Sequence, residues 1–442
     1  MIVTPIHKKG DTSNPENYRA ISLLSIPGKV FNRIILNKIQ EKTETFTSKT
    51  QFGFRPNKGT VDAIFVVRQI MEKARERGVD LNFNFIDFKS AFETVWREAL
   101  WKMLLAIGVP SIIVNTIKKM YENTNCAVLV NGRLTDWFKV TIGVRQGCLL
   151  SPTLFNLFLD FLMKELRCLQ ERITLDEELC CDIRYADDTT LIAATFHLLG
   201  LATAKLEEAC AKYGLKINGD KCKIMTKEKE REISIDGKVV EKVEKFTLLG
   251  STIPGTTLDI DRRLALAYTA FGKLNKNVWS NKNLSMCTKT RLLQALVHRI
   301  ATYACSTWTL TKKDSNKLRV FENNCLRRML GVRLLDRVSI ESLHERAGTS
   351  PSILNFTKRQ RLAWYGHIIR MDDNSLVKQV FNEDFTKKRK RGRPPKRWKD
   401  QIKTDTEMDL PAVNQIAEDR LEWRRHVNNV WAKSQCRDMH QR

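Results

Sequence analysis

The four residues Tyr185-Ala186-Asp187-Asp188 lie between two apolar segments within residues 181–192, and this pattern predicts a β-hairpin with two acids at its turn. An acidic pair in a turn is often only a local hydrogen-bonding feature. A third acid, Asp87, ends residues 81–87, where apolar side chains alternate as they do in a strand. The sequence therefore predicts three acids that come from two strand ends.

The composition favours a basic, folded protein. The 442 residues contain 75 Lys and Arg against 50 Asp and Glu, a formal charge of +25, with a pI near 9.7. This charge predicts a polyanionic partner, because binding phosphates releases counterions. A hydrophobic content of 42% excludes a wholly disordered chain. No apolar run is long enough for a membrane span, and no secretory signal is found, so no membrane partner is expected. The eleven cysteines are interpreted as reduced thiols of an intracellular protein.

Neighbouring carboxylates repel each other, and a bound cation relieves that repulsion. Mg²⁺ prefers carboxylate oxygens and accepts substrate phosphates as further ligands. Two such ions can activate a 3′-hydroxyl and stabilise a leaving pyrophosphate. Asp87, Asp187 and Asp188 are therefore candidate metal ligands.

Further motifs flank these acids in a fixed order. They are Asn17-Tyr18-Arg19-Ala20-Ile21-Ser22, Gln51-Phe52-Gly53-Phe54-Arg55, Phe85-Ile86-Asp87-Phe88, Gly143-Val144-Arg145-Gln146-Gly147, Gly214-Leu215-Lys216-Ile217-Asn218 and Leu249-Gly250-Ser251. With this series the chain resembles the reverse transcriptases of non-LTR (LINE-type) retrotransposons. Trp364-Tyr365-Gly366-His367 and Arg391-Gly392-Arg393-Pro394 resemble the C-terminal region of that family.

The resemblance implies an α+β right-hand polymerase. Residues 1–252 would form the fingers and a palm with an antiparallel sheet, and residues 253–335 a helical thumb. Residues 336–442 would form a basic helical C-terminal region with a flexible arm near 385–400. The family carries an endonuclease before the polymerase, so the chain is expected to be an N-terminally truncated copy.

The resemblance also implies RNA-directed DNA synthesis, in which a primer 3′-hydroxyl attacks a dNTP. The expected cofactor is a pair of Mg²⁺ ions, with Mn²⁺ as a substitute, held by Asp87, Asp187 and Asp188. The expected partners are an RNA template, a DNA primer or target, and dNTPs. Two alternatives stay open: an inactive remnant that only binds nucleic acid, and a chromatin-associated protein that uses only its basic tail.

Three positions resemble the nucleotide site of the family. Phe92 lies where the family has an aromatic steric gate that selects deoxynucleotides, although it also fits the buried face of a helix expected from about Ser90. Gln146 and Gly147 would contact the incoming nucleotide before a helix that starts near Pro152. Taken alone, that turn is also compatible with a simple loop.

Basic residues near the start of the chain resemble those that hold the triphosphate. They are Lys8, Lys9 and Arg19, although one of the two lysines would suit the solvated surface better. Lys221 or Lys223 would donate a proton to pyrophosphate, with a strand-edge position as the alternative.

A basic run at residues 387–399 has three interpretations: a phosphate-binding arm, a nuclear localisation signal and a minor-groove contact. Nonspecific nucleic-acid contact is preferred, and nuclear import ranks second, so both nucleus and cytoplasm are expected locations. The candidate nucleic-acid contacts are Arg55, Arg391, Arg393, Lys396 and Arg397. Two positions depart from the family pattern: Glu93 replaces an aspartate, and Leu248 replaces an aromatic residue.

Overall fold

The computed structural model describes residues 1–8, 10–166, 175, 179–348, 352–385 and 395–440, with side chains as far as residue 430. The chain divides into two compact units. Unit 1 consists of Met1–Ala63 and Val79–Glu244, and unit 2 consists of Ile64–Gly78 and Lys245–Arg442. The predicted boundary after residue 252 lies close to Glu244, whereas the predicted regions 253–335 and 336–442 share unit 2.

The structure is a mixture of strands and helices, which confirms the predicted α+β class. The strands are β1 (Ile2–His7), β2 (Tyr18–Leu23), β3 (Asn82–Ile86), β4 (Asn125–Val130), β5 (Arg133–Leu134), β6 (Phe138–Lys139), β7 (Cys180–Tyr185), β8 (Asp188–Ala193), β9 (Lys223–Met225), β10 (Ser234–Ile235), β11 (Lys238–Val239), β12 (Glu241–Lys242), β13 (Phe246–Leu248) and β14 (Ser251–Ile253).

Helices surround the strands of unit 1 and dominate unit 2. They are α1 (Ile26–Phe46), α2 (Thr60–Arg77), α3 (Arg97–Ala106), α4 (Ser111–Tyr121), α5 (Ser151–Lys164), α6 (Phe196–Tyr213), α7 (Thr256–Lys273), α8 (Met286–Leu292), α9 (Arg299–Ala301), α10 (Lys312–Leu330), α11 (Ile340–Ala347), α12 (Ile353–Ile369), α13 (Leu376–Asn382), α14 (Trp398–Thr406), α15 (Leu410–Glu418) and α16 (Arg420–His440). Most of α2 belongs to unit 2.

The main sheet of unit 1 has the strand order β12-β9-β3-β8-β7. Its central strand β3 is buried at every residue, and it pairs antiparallel with both β8 and β9. Burial of β3 includes the polar Asn84, whose amide donates a hydrogen bond of 2.9 Å to the Thr203 hydroxyl on α6. This bond pairs the amide N–H of Asn84, which as an unpaired donor would destabilise the core.

A second sheet of unit 1 has the order β2-β1-β4-β5, with β6 also paired to β4. The Asn131-Gly132 pair forms the turn between β4 and β5, where Asn131 has φ 50° and Gly132 has φ 78°. Positive φ at both central residues is the signature of a type I′ turn.

The prediction of a helix from about Ser90 is wrong, because residues 89–93 form turns and α3 begins only at Arg97. Ser90 has φ 47°, which interrupts a helical path. The carbonyl groups of Phe92 and Val95 accept hydrogen bonds from Val144 and Gly143 at 2.7 and 2.9 Å. These backbone bonds to a distant loop replace the hydrogen bonds of a helix.

The core of unit 2 is built around large aromatic side chains, among them the fully buried Trp279, Trp308 and Phe271. A second aromatic cluster joins α2, α12, α14 and α16, in which Phe65 lies 4.9 Å from Trp398 and Tyr365 lies 5.9 Å from Trp423 by ring centroids. These contacts explain why residues 64–78 belong with the C-terminal half of the chain.

Gly366 in the Trp364-Tyr365-Gly366-His367 motif has a packing reason. A Cβ atom at this position would lie 2.2 Å from the indole of Trp423, so a larger residue would force α12 away from α16. The carbonyl of Leu362 accepts a hydrogen bond of 2.9 Å from the same indole.

Among the described residues, no helix is long and apolar enough to cross a membrane. Cysteines are free thiols wherever the structure describes them, and Cys287 is the exposed one among these.

Candidate active site

The predicted acidic hairpin is present in the main sheet of unit 1. Strands β7 and β8 pair antiparallel, with Tyr185 opposite Asp188, and Ala186 and Asp187 form the turn. Ala186 has φ 60°, which is unusual for a residue other than glycine. The turn therefore depends on contacts from outside the hairpin.

Asp87 reaches the same end of the sheet from β3. Because Ile86 at the end of β3 lies opposite Thr189 of β8, the following Asp87 lies beside the start of β8 at Asp188. The backbone of Asp87 is fixed by Asn218, whose N–H donates to the Asp87 carbonyl at 2.7 Å. The structure thus brings the three predicted acids to one sheet end.

The local environment disfavours the charged forms of two of these acids. Desolvation by the surrounding protein is the first cause that raises the pKa of Asp188, to about 6, and repulsion from Asp187 and Asp87 raises it further. The pKa of Asp187 is raised mainly by desolvation, with a contribution from Asp87. Both residues still have exposed surface. A cation at this position would relieve the repulsion.

Basic side chains also face this sheet end. The charges of Arg19 and Lys8 favour the ionised form of Asp187 and lower its pKa, which partly opposes the effect of desolvation. The ammonium of Lys221 lies 3.8 Å from Asp87 Oδ2, whereas Lys223 pairs with Glu241 at 2.5 Å. The structure therefore places Lys221 rather than Lys223 beside the acids. Lys9 lies outside the described residues.

The donor chemistry of the three acids suits a divalent cation. Within the part of the chain that the structure describes, however, no group of three or more His, Cys, Asp or Glu side chains is close enough to form a metal site as the side chains stand. Carboxylate oxygens are the preferred ligands of hard cations, and repulsion between these acids favours binding of one. Asp87, Asp187 and Asp188 therefore fit a divalent ion by charge and by ligand chemistry.

Gln146 and Gly147 lie against β2. The N–H of Ser22 donates to the Gln146 carbonyl at 2.7 Å, and a Cβ at Gly147, where φ is 100°, would lie 3.1 Å from the Ser22 carbonyl oxygen. The Gln146 side-chain oxygen is buried, with no hydrogen-bond partner among the described residues. A buried acceptor without a partner can accept a hydrogen bond from a ligand. The predicted contact between Gln146 and the incoming nucleotide stays a prediction, and this side-chain oxygen is available to make it.

Two arginines that sequence reasoning missed hold this loop. Arg97 donates to the carbonyls of Gly143, Val140 and Ile142 at 2.8, 3.0 and 3.0 Å. The guanidinium of Arg145 lies 4.8 Å from the ring centroid of Tyr121. Arg97 is the first residue of α3, whose sequence also contains Glu98 and Lys102, so no sequence signal marked this arginine as buried.

Phe92 is 8% exposed, and its ring stacks on Phe155 with centroids 4.6 Å apart. The burial of Phe92 agrees with the alternative interpretation of a buried side chain, although the residue lies in a turn and not in a helix. The steric-gate role stays a prediction. Glu93 is exposed, and Leu248 is 5% exposed within β13.

The described nucleic-acid candidates make contacts within the protein. Arg55 donates to Glu44 at 2.9 Å and to the carbonyls of Ser48 and Gln51 at 2.7 and 3.2 Å. Arg397 pairs with Asp400 at 3.0 Å at the start of α14.

Lys396 is exposed and lies 3.5 Å from the Leu310 carbonyl. Arg391 and Arg393 fall outside the described residues. Nucleic-acid contact by these residues and by Arg55 and Arg397 stays a prediction.

A buried ion-pair network connects strand β7 of the acidic hairpin to helix α5. The guanidinium of Arg184 pairs with Asp160 of α5 at 2.7 Å and with Asp182 of β7 at 2.5 Å. The Thr50 hydroxyl donates to Asp182 at 2.9 Å. Asp160 within the apolar run of α5 was the signal that sequence reasoning left unused.

An α+β unit with an acidic sheet end and basic side chains near it is typical of a polymerase domain. The sequence profile described as "Reverse transcriptase (RNA-dependent DNA polymerase)" matches residues 6–253. The chain belongs to this family, whose members generally use divalent metal ions.

The relatives come from non-LTR elements. The RNA-directed DNA polymerase from mobile element jockey of Drosophila melanogaster is 26% identical over 346 residues, covering 74% of this chain and 37% of the relative. The Pol polyprotein from element R2DM of the same organism is 25% identical over 330 residues, covering 70% of this chain and 30% of the relative. The 149 kDa protein of transposon TX1 from Xenopus laevis is 30% identical over 225 residues, covering 50% of this chain and 17% of the relative. The chain therefore spans little more than a third of the jockey polymerase.

Proposed function

We propose that this chain is an RNA-directed DNA polymerase that adds dNTPs to the 3′-hydroxyl of a primer on an RNA template. The observation that carries the proposal is the meeting of Asp87, Asp187 and Asp188 at one sheet end, with Lys221 3.8 Å from Asp87. The charges of Arg19 and Lys8 also lower the pKa of Asp187. Membership of the reverse transcriptase family supports it.

The three acids would hold two Mg²⁺ ions, or Mn²⁺ in their place. Bound there, the ions would lower the pKa of the primer hydroxyl and stabilise charge on the leaving pyrophosphate. Arg19, Lys8 and the neighbouring Lys9 would bind the triphosphate, since their charges oppose that of a polyphosphate. Lys221, whose ammonium lies 3.8 Å from Asp87, would donate a proton to the pyrophosphate.

The nucleotide would be oriented by the loop that follows β6. The buried side-chain oxygen of Gln146 offers an acceptor, and Gly147 allows close approach of the backbone. Phe92 would discriminate against ribonucleotides. If it does, Phe92→Ala should raise the incorporation of ribonucleotides relative to deoxynucleotides.

The test of the function is dNTP incorporation on a primed RNA template with Mg²⁺. The wild type should extend the primer, and the Asp187→Asn/Asp188→Asn double variant should lose about 100-fold or more of this activity while keeping template affinity. The matched control is Asp261→Asn, an exposed acid of α7. Incorporation by the double variant at the wild-type rate would refute the assignment.

An inactive remnant is the other outcome of the same test. A folded wild type that binds template but fails to extend the primer with either metal would establish it. The intact carboxylates argue against this outcome.

Metal binding has a test that does not depend on activity. Mn²⁺ or Mg²⁺ should raise the melting temperature of the wild type, because an ion that binds only the folded state stabilises it. The Asp187→Asn/Asp188→Asn variant should show a smaller rise. Equal rises in both proteins would place the ion elsewhere.

Nuclear import through the basic run 387–399 is also proposed, from composition. At the described end of this run, the Lys399 ammonium lies 4.3 Å from the centroid of the Phe381 ring, so it takes part in packing. The segment to fuse to a reporter protein is therefore residues 387–396. A reporter that carries residues 387–396 should accumulate in the nucleus. A reporter in which the basic residues of this segment are alanine should not.

A further inference from the structure

The turn that carries Asp187 adopts a backbone conformation that its own sequence does not favour. Ala186 has φ 60°, in the left-handed region. A side chain with a Cβ costs about 1 kcal/mol or more in that region, and a hairpin turn of this kind normally has glycine at its first position. Contacts from elsewhere must therefore hold Ala186 in place.

The segment that supplies these contacts is Thr50–Gly53, which lies along β7. Its backbone pairs with Arg184, since Arg184 N–H donates to the Thr50 carbonyl at 2.9 Å and Phe52 N–H donates to the Arg184 carbonyl at 2.8 Å. This pairing is parallel, with Gln51 opposite Arg184. It directs the Gln51 side chain to the turn two residues further along the hairpin.

The Gln51 amide closes on both sides of the Ala186 backbone. Its Oε1 accepts a hydrogen bond from Ala186 N–H at 2.9 Å and a second from Gly53 N–H at 2.8 Å. Its Nε2 donates to the Ala186 carbonyl at 3.3 Å. The side chain is completely buried, so water does not compete for these bonds.

Gly53 permits this close approach. A Cβ at residue 53 would lie 2.3 Å from the nitrogen of Ala186 and 2.9 Å from the carbonyl carbon of Tyr185. Asn156 of α5 holds the segment from the other side, because its Nδ2 donates to the Gly53 carbonyl at 2.8 Å. The turn is thus connected through Gln51 and Gly53 to a helix of the core.

We propose that Gln51 is a positioning residue of the polymerase site, whose amide holds Ala186 in its left-handed conformation and so sets where Asp187 and Asp188 present their carboxylates. The inference rests on the function proposed above. A neutral amide suits this position, because a cation would pair with the acids and an anion would add to their repulsion.

The test compares Gln51→Met with Gln69→Met, which removes an equally buried glutamine, 2% exposed, from α2 in unit 2. In primer extension, Gln51→Met should lower kcat by about 10- to 100-fold with little change in KM for dNTP, because displaced catalytic groups slow the chemical step. Hydrogen exchange of residues 180–193 should accelerate by about tenfold or more, which is a readout independent of activity. Gln69→Met should leave both unchanged.

A rescue experiment separates positioning from general packing. Glycine adopts a positive φ without the penalty of a Cβ, so Ala186→Gly in the Gln51→Met background should recover about tenfold of the lost kcat. If Gln51→Met alone yields too little folded protein, recovery of folded protein in the double variant provides the same test.

The outcomes are distinct. A wild type that does not incorporate dNTP refutes the proposed function, whereas the hydrogen-exchange measurement still tests whether Gln51 holds the turn at Ala186. An active Gln51→Met variant with wild-type kcat and wild-type exchange overturns the inference. Loss of kcat without any rescue by Ala186→Gly also overturns it.

Discussion

The hairpin β7–β8 of unit 1 and the hairpin β13–β14 of unit 2 both turn through a residue other than glycine with a positive φ, Ala186 at 60° and Leu249 at 47°. Each turn is therefore held by side chains from elsewhere. In unit 1 the holding group is the neutral amide of Gln51. In unit 2 the holding groups are a tyrosine and two arginines.

The contacts of the second turn are directed at its carbonyls. The Tyr303 hydroxyl donates to the Leu249 carbonyl at 2.9 Å, and Arg262 donates to the Gly250 carbonyl at 2.9 Å. Arg263 also donates to Gly250, and its guanidinium lies 4.1 Å from the Tyr303 ring centroid.

A buried acid, Asp259, connects this hairpin to α2 and to the core of unit 2. Asp259 is fully buried and accepts hydrogen bonds from Arg68 at 2.9 Å, Ser251 at 2.8 Å and the Trp308 indole at 2.9 Å. The difference between the two hairpins follows from what their turns carry. In unit 1 a neutral amide contacts the turn that carries acids, whereas in unit 2 two arginines contact a turn that presents carbonyls.

The largest effect is expected where unit 2 depends on a buried charge. Asp259→Asn removes the counter-charge of the buried Arg68 and should lower the free energy of unfolding by about 3–5 kcal/mol, because an uncompensated buried ion is costly. Urea unfolding followed by tryptophan fluorescence measures it, since Trp308 contacts Asp259 directly.

Asp261→Asn is the control for that experiment. Asp261 is an exposed residue of α7, the helix that carries Asp259, and it pairs with Lys317 of α10, so its loss should cost less than about 1 kcal/mol. Equal costs for the two variants would show that the second hairpin does not depend on its buried charge.

The next effect concerns the close approach in unit 1. Gly53→Ala places a Cβ 2.3 Å from the Ala186 nitrogen and should reduce primer extension by about 100-fold by displacing the turn. Gly272→Ala is the matched control, because nothing lies within 4 Å of a Cβ there. Activity of Gly53→Ala near that of the control would mean that the turn does not require this contact.

Glu72 is a partly buried acid of unit 2 whose hydrogen-bond donors are neutral groups. Burial is the main cause that raises its pKa, to about 7, while the Trp398 N–H and the Thr309 hydroxyl donate to it at 2.9 and 3.1 Å and oppose the shift. Because the folded-state pKa is raised, ionisation costs stability, which falls as pH rises from about 4.5 to about 7.

Glu72→Gln should abolish that fall and stabilise the protein above pH 7 by about 2 kcal/mol. The amide oxygen can still accept both hydrogen bonds. Unfolding free energies measured at pH 4.5 and pH 8 give the comparison. A wild-type pH dependence retained in the variant would assign the titration to another group.

The smallest effect is expected from a single neutral bond. Tyr303→Phe removes the donor to the Leu249 carbonyl and should cost about 1 kcal/mol in urea unfolding. Adding Leu249→Gly, which relieves the positive φ, should recover part of that cost. No cost in the single variant would leave Arg262 and Arg263 as the sufficient support of this turn.

Local patterns carried most of what could be predicted. Alternating apolar residues located β3 and the β7–β8 hairpin, and Asn131-Gly132 located a type I′ turn, because these signals depend on neighbours in sequence. The helix expected from Ser90 failed for the opposite reason, since bonds to residues 143 and 144 determine that backbone.

The sequence by itself determined the α+β class, the family and the three acids at strand ends, because each depends on short motifs in a fixed order. Tertiary structure alone decided that Gln51 supports a turn 135 residues away, that Lys221 and not Lys223 lies beside Asp87, and that residues 64–78 join unit 2. These outcomes depend on burial and on hydrogen bonds between segments that are distant in sequence. The physical reason is that a buried polar group needs a hydrogen-bond partner, and only the folded chain determines which group lies close enough to be that partner.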